Sequence, residues 1–315
     1  MELSLSAVLV ETKNFGLNFS GNIALNQNRV MSLGALESIP AYSNWASTKL
    51  SPYADFMVEP GQPLGNVYGY KVAGRYEVDD FTWDGDKNKW VLNEGVVDCS
   101  NAIGANFMRP GALKLQDNDG DGAPDLQIIG NTLPLGSGGF SLSGVLYGVD
   151  FSANFNYVFG NKIYNANKVE FTSYRDYWRR NLLSSMSPDK RWCNVDWQTG
   201  EVINDPDQLR EMNAGTTMWS PLTNAVVTDW AMEDGSFLRL STATIGYTLP
   251  EALTSRIKMK KLRFYVTGTN LFCLTAYSGF DPEVDSRRAT PLTPGVDYSA
   301  YPKSIGVVGG LNITF

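Results

Sequence analysis

The chain has 315 residues, a length that suits two ordinary domains or one large β structure. Hydrophobic residues make up 43% and charged ones only 19%, which excludes a disordered tail and a charge-laced helical bundle. There is no histidine, so Ser-His-Asp and Cys-His nucleophile sets and His-ligated zinc or haem are excluded. A net charge of −7 with no long Lys/Arg cluster excludes a broad nucleic-acid surface. Cys99, Cys193 and Cys273 lie too far apart for a CxxC site; neither a disulfide framework nor a thiolate metal site is indicated, and at most one pair could bridge. No stretch approaches the roughly 18 apolar residues of a membrane helix. The start, MELSLSAVLVETKNFG, lacks the basic region and apolar run of a signal peptide. A membrane barrel stays open, because its strands hide their apolar residues by alternation.

In chain order, Leu3, Leu5, Ala7 and Leu9 recur in phase and predict a first strand. The short Lys13-Asn14 region separates it from a second over 14 to 25, where Phe15, Leu17, Phe19, Ile23 and Leu25 share one face and Asn14, Asn18, Ser20 and Asn22 the other. Residues 139 to 147 and 151 to 159 predict a second hairpin around Gly148-Val149-Asp150. A third pair covers 236 to 248 and 261 to 272, joined by Leu249 to Lys260 with room for one helical turn. In its first strand Phe237-Leu238 and Arg239-Leu240 compete for phase, which a bulge would explain. The last strand, 304 to 315, places Ile305, Val307, Leu311, Ile313 and Phe315 in alternation with Gly306, Gly310, Asn312 and Thr314.

The strand interiors are almost uncharged, Arg239 and Arg263 being the main exceptions. Short turns alternate with long connections over about 26 to 137, 160 to 235 and 273 to 303. That asymmetry fits an all-β antiparallel transmembrane barrel with short periplasmic turns and long extracellular loops, and it is rare in a soluble sandwich. Connections this long must carry structure or function of their own. About seven strands is an odd count where bacterial barrels have even ones, so the chain is expected to be the C-terminal part of something larger.

The densest local chemistry is Asp117-Asn118-Asp119-Gly120-Asp121-Gly122, which matches the start of a calcium loop. Asp117, Asp119 and Asp121 would converge on Ca2+, Gly122 would permit the turn, Ala123 would offer its carbonyl and Asp125 occupies the ninth position. The twelfth position is Ile128, so the bidentate carboxylate is missing; the alternative is a solvated Asx-rich turn. All eight tryptophans, at 45, 83, 90, 178, 192, 197, 219 and 230, fall in the long connections. Trp83, Trp90, Trp178, Trp197 and Trp219 are candidates for stacking on a ligand or partner, against packing within the loops or an aromatic girdle. The Tyr174 to Arg180 run would present Arg and aromatic side chains from a short helix, or form a solvated face. Asp281 with Glu283, and Glu233 with Asp234, are carboxylate pairs of the kind a glycosidase uses; random pairs are far commoner, and the expectation is no enzyme.

Several stretches resemble the SusC/RagA family of TonB-linked outer-membrane transporters: PLGNVYGYKVAGRY (63 to 76), DNDGDG leading to IIGNTLPLGSGGF (117 to 140), GNKIYN (160 to 165), EDGSFLRLSTATIGYTLP (233 to 250), FYVTGTNLFCLTAYSGFDPEV (264 to 284), TPGVDYSAYP (293 to 302) and the terminal GLNITF. The resemblance implies a segment of a larger outer-membrane barrel importing glycans, peptides or other large nutrients. A SusD-like surface lipoprotein would lid the barrel, and TonB would be contacted through an N-terminal part absent from this chain. It also implies that the terminal strand, with Leu311, Ile313 and Phe315, is the signal read by the barrel-insertion machinery. The rival reading is a secreted calcium-binding β-sandwich adhesin or lectin, which the calcium motif and aromatic loops would also suit.

Overall fold

The computed structural model describes residues 1–45, 54–173, 181–286 and 290–315. Seven long strands form one antiparallel sheet: β1 Glu2–Glu11, β2 Phe15–Leu25, β3 Gly136–Leu146, β4 Val149–Phe159, β5 Phe237–Thr248, β6 Lys261–Thr275 and β7 Gly306–Thr314. They pair in chain order, each with its sequence neighbour.

Strand alternation gives this sheet two unlike faces. One cross-strand row is Leu5, Gly21, Phe140, Phe155, Leu240 and Phe272, in which Phe140 and Phe155 stack at 4.6 Å. A row on the opposite face is Ser6, Ser20, Ser141, Asn154, Thr242, Thr269 and Gly306. The apolar face has no cover among the described residues, and Leu5, Val266 and Leu274 are 59%, 48% and 61% exposed. An open greasy face of seven strands is not stable in water and requires a lipid or protein partner.

The predicted phases hold with local corrections. A register shift between Val8 and Val10 makes Leu9 a bulge, so the β1 pattern breaks there. Ser241 is the bulge anticipated in β5: the register slips beside it on both neighbours. The turn between β3 and β4 is Tyr147-Gly148, not Gly148-Val149-Asp150, because Leu146 pairs with Val149. Both turn residues have positive φ, 48° and 84°, the twist that a two-residue hairpin needs. Glu251–Thr254 supplies the expected helical turn between β5 and β6.

All three short turns lie at one end of the sheet, and connections 26–135, 160–236 and 276–305 leave from the other. These connections contain nearly all of the buried core; among the described residues only Phe237 and Leu240 of it lie in the seven strands. One cluster joins Tyr76, Phe81, Ile103 and Leu115 of the first connection to Met186 and Trp219 of the second. Another joins Trp45 and Phe56 to Tyr164 and Val169 and to Val296 of the third. Short strands lock the same segments together: Lys162–Asn165 pairs antiparallel with Met232–Asp234 and parallel with Val296–Asp297. Helix Pro206–Asn213 starts on Pro after Asp205, whose carboxylate accepts the Gln208 N–H, and buries Leu209 against Val78 and Trp192. The connections therefore fold as one packed layer over one end of the sheet. No helix among the described residues is long and apolar enough to cross a membrane.

Candidate functional site: the layer over the sheet

Where the layer meets the sheet, polar groups brace the second and third connections internally and join them through Ser278 and Glu233. Tyr277 Oη donates to Asp297 Oδ2 at 2.5 Å, and burial pushes the Tyr277 hydroxyl well above its ordinary pKa, with the Asp297 contact adding to it. Ser278 donates its N–H and its hydroxyl to Glu233, each at 2.9 Å, and Asn165 donates to the same carboxylate at 2.8 Å. Burial works against the Glu233 anion, but the bonds from Ser278 and Asn165 and the Lys168 charge outweigh it and hold its pKa below 4.5. Lys168 lies 3.6 Å from Glu233 and 3.8 Å over the Trp230 ring; burial lowers its pKa although Glu233 opposes the shift.

On the wall itself Arg239 is 5% exposed. Its Nη2 donates to Asp281 at 2.6 Å, and Glu283 lies 2.9 Å from Nε as an ion pair without hydrogen-bond alignment. Glu283 also pairs with Lys303. Arg239 thus fastens the start of connection 276–305 to β5, and Glu283 links that point to Lys303 at the far end. The carboxylates once readable as a catalytic pair are the counter-ions of this arginine, and Glu233 belongs to the junction with Ser278. Farther out, Asp55 is buried against Ser43, whose N–H donates to it at 2.8 Å. Burial raises its pKa, only partly offset by the Ser43 bonds.

The acidic loop brings Asp117, Asp119 and Asp125 together, with one oxygen of each inside a 4.8 Å span; Asp121 is not in that group. Asp117 accepts the N–H groups of Gly120 at 2.7 Å and Gly122 at 2.9 Å, which lower its pKa. Asp125 accepts from Asn118 at 2.6 Å, and Asp121 accepts from Ala123 at 2.8 Å. The set fits a hard cation as three converging carboxylates, fewer protein ligands than the 6–8 oxygens calcium takes.

The tryptophans divide. Trp45 is buried and donates to Tyr164 Oη at 2.8 Å. Trp219 is buried, edge-on to Trp230 at 5.6 Å, and is core rather than a stacking surface. Trp192 is buried with the Arg75 guanidinium 4.7 Å from its ring. Trp83 and Trp90 oppose each other across the hairpin Phe81–Asp84/Lys89–Leu92 at 5.2 Å, both half-buried. Trp197 is 65% exposed and, with Arg191, Trp192, Asn194 and Leu222, lines a cleft of about 440 Å³. Trp178 and the Tyr174–Arg180 run lie outside the described residues. Leu311 and Ile313 are on the exposed apolar face of β7, and Phe315 follows that strand, 75% exposed. Cys99, Cys193 and Cys273 are free thiols. Sequence reasoning missed the junction around Glu233 and the Arg239 clasp; the available signal was a charged residue inside an otherwise uncharged strand.

No family model matches the chain. Over its whole length it is 29% identical to TonB-dependent receptor P39 of Formosa agariphila, covering 30% of that protein, and 24% identical to receptor P3 of the same organism, covering 28%. Over 90 residues, 28% of this chain and 8% of the relative, it is 32% identical to TonB-dependent receptor SusC of Bacteroides thetaiotaomicron. In fold, all of it superposes on 29% of a chain of the RagAB peptide transporter, with a TM-score of 0.63 and 21% identity.

A two-faced antiparallel meander with an uncovered apolar side, aligned on such a chain, is wall from a transmembrane barrel of the outer membrane. Over its whole length the chain is similar in sequence to TonB-dependent receptors and in fold to a chain of the RagAB transporter, and it spans less than a third of the length of the relatives it matches.

Proposed function

We propose that the complete protein imports a large nutrient, a glycan or a peptide, by binding and gated passage with no chemistry on the solute. Its energy comes from TonB through parts beyond this chain, and a SusD-like lipoprotein sits on the layer built by the long connections. The observation that carries this reading is the layer itself: three connections leaving one end of the sheet share two hydrophobic clusters, and the second and third are joined by the bonds of Ser278 to Glu233. Such a rigid cap suits a docking face better than free loops would. The layer is then extracellular and the tight turns periplasmic, the apolar face meets outer-membrane lipid, and the strand ending in Leu311, Ile313 and Phe315 is read during insertion. A tag on the complete protein, pulled from detergent extracts of its native cells, is expected to recover a surface lipoprotein in stoichiometric amount. External protease on intact cells is expected to cut near Trp197 and to spare Tyr147-Gly148. Recovery of the protein alone, or cleavage at the tight turns, contradicts the reading.

A cation in the acidic loop is a second proposal, favoured by the convergence of Asp117, Asp119 and Asp125. Calcium should raise the melting temperature of the complete protein, since binding to the native state stabilises by mass action, and Asp119→Ala should remove that shift. No shift in wild type at millimolar calcium leaves the loop as a turn.

A further inference from the structure

The polar face of the wall is not uniform. Over β1 to β4 it carries a groove of about 480 Å³ lined by Ser4, Ser6, Ser20, Asn22, Ser141 and Asn154 among others. These six are small, neutral hydrogen-bonding side chains, set beside Gly21, Gly139, Phe140 and Phe155, and Ser4, Ser6, Ser20, Asn22 and Asn154 are exposed. Ser20 and Ser141 bond each other at 2.8 Å and Asn154 donates to Thr242 at 2.8 Å, whereas Ser4, Ser6 and Asn22 have no side-chain bond to a described residue. Over β5 to β7 the same face carries half-buried threonines, with ion-paired charge at the end nearest the layer. Thr244 and Thr267 bond each other at 2.8 Å, and Arg239 with its carboxylates pins connection 276–305 across the upper end.

Resting on the importer reading above, we propose that the aqueous route of a neutral, hydrogen-bonding solute through the barrel follows the inner side of β1 to β4 and not that of β5 to β7. A hydroxyl and amide floor replaces the water bonds of a passing solute one at a time, each exchange being nearly balanced. Passage needs such weak, multi-site contact, favourable enough to enter and loose enough to leave. A bound Arg–carboxylate cluster offers the opposite: its groups are already paired, and prying them apart exposes uncompensated charge. The groove therefore favours an uncharged, polar occupant; the charge this face carries near the tight turn, Asp150 of β4, is already paired with Arg263.

Thiol labelling tests the route without knowledge of the nutrient. In the complete transporter, carried in respiring cells on a Cys193→Ser, Cys273→Ser background, single cysteines replace Ser20, Ser141 or Thr269, which share one register row. The probe is a maleimide on a short neutral polyethylene glycol, added outside, with and without a protonophore. Ser20→Cys and Ser141→Cys should label about tenfold faster than Thr269→Cys in energised cells, with outer-membrane abundance confirming each variant. Equal rates, or faster labelling at Thr269→Cys, overturn the route while leaving the importer reading intact. No labelling at any of the three in either energy state contradicts both.

Discussion

Replacing Arg239 by Met removes the cation that two acidic side chains share. Asp281 is as buried as Arg239, each side chain 6% exposed, so its carboxylate would be stranded, whereas Glu283 keeps Lys303 and is 30% exposed. Breaking a buried pair from one side costs about 3–5 kcal/mol; with Glu283 still partnered, the low end, about 3 kcal/mol, applies, or a roughly 150-fold rise in the opening equilibrium. The cost falls on the attachment of connection 276–305 to β5, not on the barrel ladder, so global melting is a poor readout. Hydrogen exchange of peptides covering residues 276–286 in the complete protein is the suitable one: Arg239→Met should speed exchange by about two orders of magnitude. Arg239→Met with Asp281→Leu should recover most of the protection, because both charges then leave together. Unchanged exchange in the single variant, or a double variant as unprotected as the single, would refute the claim that this pair fastens the connection.

Three further outcomes follow from other parts of the layer. Gly111 has φ +82° and its absent Cβ would lie 2.1 Å from the buried Trp192 ring; Gly111→Ala should destabilise the layer by at least the about 1–2 kcal/mol of left-handed strain and red-shift tryptophan fluorescence, while Gly215→Ala, with open space around it, should do neither. Glu233 has a lowered folded pKa, so its contribution is present above its ordinary 4.5 and is lost as pH falls through the folded value; the stability gap between wild type and Glu233→Gln should close on acidification, and a gap constant with pH would contradict the shift. Deleting Phe315 from the complete protein removes at most about 1.5–3 kcal/mol of burial; a severe drop in outer-membrane abundance would mark it as an assembly signal, and normal abundance would reduce it to packing.

The wall was legible because a strand writes its burial into neighbouring residues at period two. Leu17 and Phe19 against Asn18 and Ser20 need no knowledge of the partner strand, and the uncharged interiors pointed to lipid. The errors came where local geometry departs from that period: the Leu9 bulge, and a turn that puts Tyr147, a bulky residue, at positive φ. The layer was far less legible. Trp45 meets Tyr164 across 119 positions, and Arg239 meets Asp281 across 42; no periodicity encodes such pairs. Tryptophans confined to loops suggested surfaces, yet Trp45, Trp192 and Trp219 are core, because connections this long bury a core of their own. The acidic motif gave three of its four carboxylates as neighbours and missed that Asp121 turns away to cap Ala123.

The central claim is that the Leu5–Phe272 face meets lipid and the Ser6–Thr269 face meets water. Nitroxide labels placed singly from Phe151 to Phe155 on β4 of the complete protein in bilayers, read for collision with oxygen and with a polar nickel chelate, test it most directly. The account predicts strict alternation: Phe151, Ala153 and Phe155 sites favour oxygen, while Ser152 and Asn154 sites favour nickel. Nickel access at all five positions, or no alternation between them, would contradict a transmembrane wall.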